Sequence, residues 1–237
     1  SHNSDMIELL MKNGADINAK DKSDQTALCY TLSSYTQDSL ESAKRLLSSE
    51  EIDVNVKLET SFGKAPLLAH FVRHIPHVIT EQNVTEGDIA QVVDSLLSRN
   101  ADINAKDSLN ETALDCAKKY PLLNYIKSLI ENHMSTDSQV EPVPAQSGIA
   151  QGQVDNDAKK AELMGLLAIR TNKKDLVEAI KLLKESRDIN ASDAQGTTVL
   201  MHTIKFGDID LVRNLLKDPA LDINQANLIG QTALHVA

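Results

Sequence analysis

The sequence predicts an all-α solenoid, a pile of helical hairpins laid side by side. Three observations predict it. A polar phrase built around Asp-Ile-Asn recurs five times in 237 residues: "GADINAKD" from Gly14, "EIDVNVK" from Glu51, "NADINAKD" from Asn100, "SRDINASD" from Ser186 and "ALDINQAN" from Ala220. Four copies are followed by a threonine at a fixed distance: Thr26 after Asp21, Thr112 after Asp107, Thr198 after Asp193 and Thr232 after Asn227, each five residues on. Apolar stripes of helical period lead up to the phrases, as in Val92, Val93, Leu96 and Leu97, or Ile209, Leu211, Val212, Leu215 and Leu216. Self-similarity of this kind marks one structural unit used repeatedly.

Each part of the unit has a local cause. The five-residue interval holds a tight polar turn and then a hydroxyl that caps a helix through its side-chain oxygen. Small and apolar residues, Ala27-Leu28 and Ala113-Leu114, begin that first helix. A second helix then runs to the next phrase and has to stop where Gly14 stands, a position that favours left-handed backbone; Asn100 holds the matching place in its copy. The recurring phrase is the punctuation between helix pairs.

Composition narrows the function. Hydrophobic residues make up 41% and aromatic ones 3%, with no Trp, so the core has to come from Leu, Ile, Val and Ala. A net charge of −10 weighs against nucleic acid, whose phosphates need clustered Lys and Arg. The charge is uneven: residues 1–157 hold 13 basic and 24 acidic side chains, residues 158–237 hold 11 and 10. The first part therefore favours a protein partner with a basic surface. Two cysteines, Cys29 and Cys116, make no disulfide framework, which fits an intracellular, cytoplasmic setting. No apolar run is long enough to span a membrane.

Together the turn, the Thr-capped short helix, the longer second helix and the "GADIN"-like return resemble the ankyrin repeat. "TALHVA", Thr232 to Ala237, is similar to that family's T-P-L-H-x-A stretch, with "TVLMHT" and "TALDCA" looser. Asp193–Ala226 makes one unit of 34 residues, close to the family's roughly 33. The resemblance implies a right-handed superhelix of stacked units joined by β-turn or hairpin-like loops. A first array covers 1–133, with a half unit at 4–20 and units at 21–57, 60–106 and 107–133. Residues 134–157, rich in Pro, Gln and Ser, read as a linker. A second array covers 158–237, with units at 158–192 and 193–226 and a half unit at 227–237. The next helix after the linker has Asp157 as its cap. The unit from Thr60 spans 47 residues, and its excess of about fourteen is expected as a surface loop over 74–88. Ile7, Leu9 and Leu10, with Leu234 and Val236, are expected to be exposed at the two ends, as in a slice of a longer array.

Reactive chemistry finds little support. His70, His74 and His77 form the one candidate metal cluster, but Pro76 interrupts it and no carboxylate or thiol stands at a supporting spacing. Cys29 and Cys116 read as small buried hydrophobes, and the periodic Asp residues as turn formers rather than general acids. No glycine pattern for phosphate is present, so no cofactor, metal or enzymatic activity is expected.

A non-enzymatic protein–protein interaction module is the function this implies; the alternative is a substrate-presenting region of a larger enzyme or of an intracellular-bacterial effector acting in the host cytosol. By resemblance, partners would meet the turn tips: Lys22, Ser23, Gln25, Ser61, Phe62, Lys64, Ser108, Leu109, Glu111, Ala194, Gln195, Thr197, Leu228, Ile229 and Gln231. The exposed side of the first helices would add Ser33, Ser34, Val72, Arg73, Lys119, Tyr120, Lys205 and Phe206. Phe62, Leu109, Leu228 and Ile229 are apolar where solvent favours polar residues, so they either pack on the neighbouring turn or meet a partner. Oligomeric state is not set by the sequence.

Overall fold

In the computed structural model of the chain the recurring phrases lie next to one another and are tied by one repeated pair of hydrogen bonds. The structure describes residues 2–60, 63–81, 84–136, 173–185 and 188–237. Asn18 donates from Nδ2 to the Glu51 carbonyl (2.7 Å) and accepts at Oδ1 from the Asp53 N–H (2.8 Å). Asn55 does the same to Asn100 (3.0 Å) and Asp102 (2.7 Å), and Asn190 to Ala220 (2.7 Å) and Asp222 (2.8 Å). Asn224 completes the series on Gly14 (3.2 Å) and Asp16 (2.8 Å). Four of the phrases also hold themselves: the Asp carboxylate accepts from the N–H two residues on, as Asp16 does from Asn18 (3.0 Å) and Asp102 from Asn104 (2.9 Å).

Helix pairs hang from this ladder. The second helices are α1 (His2–Lys12), α3 (Gln37–Leu47), α5 (Glu86–Ser98), α7 (Asn124–Thr136), α8 (Lys173–Glu185) and α10 (Ile209–Leu215). The first helices are α2 (Ala27–Ser34), α4 (Leu67–Glu81), α6 (Ala113–Lys118), α9 (Val199–Phe206) and α11 (Ala233–Val236). Thr26, Thr112, Thr198 and Thr232 all stand at the N-cap with extended backbone, as the spacing predicts. Thr112 and Asp115 form a reciprocal capping box, and Thr198 accepts from the Met201 N–H (3.3 Å). Gly14 (φ 86°) and Asn100 (φ 60°) take the left-handed backbone that ends α1 and α5.

The core is aliphatic. Leu10, Leu32, Leu40, Leu46, Val92, Val93, Leu96, Ile130, Val212 and Leu215 are fully buried. Each such Leu or Val contributes roughly 1.5–3 kcal/mol relative to exposure, which the long helices supply from one face apiece.

Three expectations are corrected. The apolar residues at the two ends are covered: Ile7 is 1% exposed, Leu10 0% and Leu234 2%, while Leu9 and Val236 pack partly buried against the core. They cover one another, because α11 packs against α1 and α2, and α1 against α10. The 4–20 and 227–237 halves thereby stand together as one helix pair, and the two arrays meet there. Secondly, the excess in the unit from Thr60 is not a loop over 74–88. Helix α4 continues through Pro76 to Glu81, because Ile75 and Pro76 are buried on its inner face, and α5 starts at Glu86 under a Thr85 cap. Part of the excess lies earlier, in an antiparallel hairpin of β1 (Lys57–Thr60) and β2 (Gly63–Pro66) at the turn position. Thirdly, α7 carries Met134–Thr136 as helix rather than linker. Residues 137–172, including the rest of that linker and the Asp157-capped helix, lie outside the described residues.

Replacing Asn55 or Asn18 by Ala deletes a donor and an acceptor together, each hydrogen bond contributing about 0.5–1.5 kcal/mol. Urea denaturation is expected to show a loss of about 1–3 kcal/mol for either variant, and an unchanged midpoint would remove the ladder from any structural role.

Candidate protein-binding surface

Four turns share one construction. The side-chain Oδ1 of the leading residue accepts two backbone N–H groups: Asp21 from Ser23 (2.8 Å) and Gln25 (3.0 Å), Asp107 from Leu109 (2.9 Å) and Glu111 (3.1 Å). Asp193 takes Gln195 (2.9 Å) and Thr197 (2.8 Å), and Asn227 takes Ile229 (3.1 Å) and Gln231 (2.9 Å). The backbone closes the same loops, with Asp21 N–H to Gln25 O and its three equivalents at 2.9–3.0 Å. The fourth residue is left-handed in each: Asp24, Asn110, Gly196 and Gly230. Neighbouring turns touch through backbone. Leu228 N–H donates to Gln195 O (2.9 Å), and a Cβ on Gly196 would stand 2.8 Å from the Leu228 nitrogen.

This construction decides which predicted residues face solvent. The two residues after the leading Asp or Asn point outward, so Lys22, Ser23, Ser108, Leu109, Ala194, Gln195, Leu228 and Ile229 are exposed. Lys64, on β2, is exposed and pairs with Asp24 (2.6 Å). The fourth residue after the leader is pinned by its own N–H and carbonyl, and its side chain turns inward. Gln25, Glu111 and Gln231 are half-buried, and Thr197 is buried, which corrects its placement among the tips. Ser61 and Phe62 lie outside the described residues.

On the helix face, Ser33, Ser34, Lys119, Lys205 and Phe206 are exposed and Tyr120 is half-buried against the core. Val72 is corrected: it lies fully buried on the inner stripe of α4 with Leu68, Phe71 and Ile75. Arg73 is half-buried and bridges two units. Its Nε donates to Asp107 Oδ2 (2.9 Å) and its Nη2 to the same oxygen and to Glu111 Oε2 (2.9 Å), while Lys119 pairs with the other Glu111 oxygen. Burial alone would raise the Asp107 pKa; the Glu111 and Leu109 N–H groups and the Arg73 guanidinium hold it below the usual carboxylate range.

The sequence carries only an indirect trace of that bridge. Nine residues after its leader, Asp21 finds the Tyr30 hydroxyl (2.6 Å) and Asp193 finds His202 Nε2 (3.0 Å). At the same offset from Asp107 stands Cys116, a poor donor, and the second carboxylate oxygen is satisfied by Arg73 from the preceding unit instead. Asn227, with Val236 at that offset, has no second anionic oxygen to satisfy.

A cavity of about 450 Å³ opens between the hairpin, α4 and the turn at 107–111, lined by Ser33, Ala65, His70, Arg73, His74 and Leu109 among others. The His70 and His74 rings stand 4.3 Å apart, with His74 Nδ1 donating to the His70 carbonyl (2.8 Å). Burial, with His74 and Arg73 adding to it, lowers the His70 pKa to about 4, so the His70 ring is neutral near pH 7. Candidate metal-ligand atoms of Asp107, Glu111 and Cys116 lie within 4.8 Å of one another, but Arg73 already supplies the cation there. Burial pushes the Cys116 thiol up to about 11 and raises Cys29 as well, so neither is a thiolate at neutral pH.

Comparison with known families places this geometry. A model of ankyrin repeats in three copies matches residues 166–237, and a single ankyrin repeat model matches residues 1–22. Among solved structures, the ankyrin repeat protein EF0377 aligns over 92% of this chain and 89% of its own, at 17% identity and a TM-score of 0.32. The predatory endopeptidase Bd0816 from Bdellovibrio bacteriovorus, in complex with immunity protein Bd3460, gives 87% and 89%, 22% identity and a TM-score of 0.29. At those scores neither likeness bears on fold or function.

Burial lowers the pKa of His202 despite the Asp193 carboxylate, and of His235 despite the Gln25 carbonyl. A folded-state pKa below the unfolded value of about 6.5 means that the folded chain binds fewer protons. The stabilisation is therefore complete above about pH 6.5 and lost as pH falls below it. Urea midpoints measured downward from neutral pH should fall, and His202→Gln should flatten the decline.

Proposed function

We propose that the chain, whose residues 166–237 and 1–22 match models of ankyrin repeats, is a non-enzymatic scaffold that binds a protein through its turn tips and the cavity behind them. One observation carries the reading. Leu109 is 60% exposed, Leu228 60% and Ile229 56%, on turns closed by backbone and side-chain hydrogen bonds from the leading residue. These side chains contribute little to the packing of neighbouring turns, so the balance between packing and partner contact moves to contact. Large apolar side chains held on a stiff frame lose little entropy on binding and form the centre of an interface.

The cavity beside Leu109 complements them. Neutral His70, the His74 ring, the hydroxyl of Ser33 and the aliphatic stem of Arg73 offer a partly apolar recess for a partner side chain. Both thiols are buried and protonated, and the carboxylates of the turns are occupied by backbone N–H groups, which supports a binding rather than a catalytic role. The acidic balance of residues 1–157 favours a partner with a basic face there.

Leu109→Ser and the double variant Leu228→Ser/Ile229→Ser are expected to weaken partner capture tenfold or more while changing stability by less than about 0.5 kcal/mol. Retained capture, or a large fall in melting temperature, would return these residues to packing. Association with a basic partner should also slow as salt rises, read by stopped-flow mixing at two ionic strengths.

A further inference from the structure

Residues 2–20 and 227–237 build a single helix pair with no peptide bond joining them, and the joint repeats what the backbone does elsewhere. Within the chain, Leu228 N–H donates to Gln195 O at 2.9 Å; across the joint, Lys22 N–H donates to Ile229 O at 3.0 Å. Asn190 spans to Ala220 and Asp222, and Asn224 spans to Gly14 and Asp16 with the same pair of bonds. His235 Nδ1 accepts from the Thr232 N–H (3.1 Å), leaving its Nε2 to donate to Gln25 O (3.0 Å), and Gln231 Nε2 donates to the Tyr30 hydroxyl (3.1 Å). The Tyr30 and His235 rings meet edge to face, 5.8 Å apart.

None of these bonds requires that both halves belong to one molecule. Separating them would expose Met6, Ile7 and Leu10 on one side and Ala233 and Leu234 on the other, all at most 2% exposed when joined. Each half thus carries an apolar face that the other covers.

We propose that this joint is an exchange surface between copies of the chain: residues 227–237 of one copy seat on α1 and α2 of a second, and reciprocally. The resulting pair keeps every bond of the closed monomer, the usual condition for exchange of an identical element. Closure within one chain has an effective concentration on the order of millimolar for tethered partners, so exchange is favoured when chains refold together at high concentration.

Two variants block opposite sides of the joint. Gly230 has φ +84°, and a Cβ there would stand 2.6 Å from the Lys22 nitrogen and 2.9 Å from Asp21 Cα, so Gly230→Ala disables the 227–237 side. Ile7→Asp disables the 2–20 side. Wild type refolded at high concentration should give a species of twice the monomer mass by light scattering, and each variant refolded alone should stay at the monomer mass. Refolded together, the variants should give a one-to-one species of doubled mass, since each supplies the half the other lacks. Gly207→Ala controls for backbone strain, having φ +80° with open space around the new Cβ, and should dimerise like wild type. If Ile7→Asp loses its helical circular dichroism, Lys22→Pro replaces it; it removes the N–H given to Ile229 at a turn position that accepts proline and should lower the dimer yield. A mixture that stays at monomer mass with its helical signal intact would overturn the proposal, as would Gly230→Ala chains that dimerise alone as well as wild type.

Discussion

Asn18 uses both ends of its side-chain amide at once, giving a proton to one backbone group of the next phrase and taking one from another two residues away. This two-point contact fixes spacing and register together. Aspartate at that position could accept but not donate, and glutamine would place the same amide one carbon too far out. A single amide geometry, used four times, sets how far apart neighbouring helix pairs stand and leaves their side chains to pack at that distance. The largely aliphatic core fits the same spacing, since Leu, Val and Ala fill most of the layer between helix pairs, with Phe71 as the large buried ring.

The turn tips extend the same economy of polar atoms. An aspartate at the start of a turn has two oxygens; one holds the turn, and the other requires a donor. Tyr30 and His202 are local donors, and Arg73 is a distant one recruited where Cys116 replaces them. The consequence for binding is geometric. Once the leading and fourth residues are committed to the frame, only the two between them are free to vary, and there the sequence places Leu109, Leu228 and Ile229.

Much of this was legible from residue spacing. The five-residue interval from Asp21 to Thr26 and its copies marked turn and helix start because both are local hydrogen-bonding events, written in consecutive residues. Gly14 and Asn100 marked helix ends for the same reason. The stripe around Val92 marked a buried face through its period. Other features escaped because they depend on what a distant segment supplies. Val72 sits at a helix-face position of the repeat, yet it continues the buried apolar stripe of α4. Pro76 predicts a helix break, yet burial of Ile75 and Pro76 carries α4 past it. Arg73 reads as a surface group in the sequence because its partner is 34 residues away. Of the site itself, the outward positions of the turns were legible and the inward turn of Thr197 was not, because its burial follows from a carbonyl and an N–H both claimed by Asp193.

The joint between residues 227–237 and 2–20 lies in the interior of the pile, with α8 and α10 on one side and α3, α5 and α7 on the other; Lys184 bonds to Asn214 and α1 packs against both α10 and α3. In a one-dimensional array, total stability is a sum of intrinsic terms for each unit and coupling terms between neighbours. A weak coupling at an extremity trims only a frayed end. A weak coupling in the interior divides the array into two shorter cooperative blocks. Whether the described residues melt as one body or as two is therefore governed by this interface, which no covalent bond enforces.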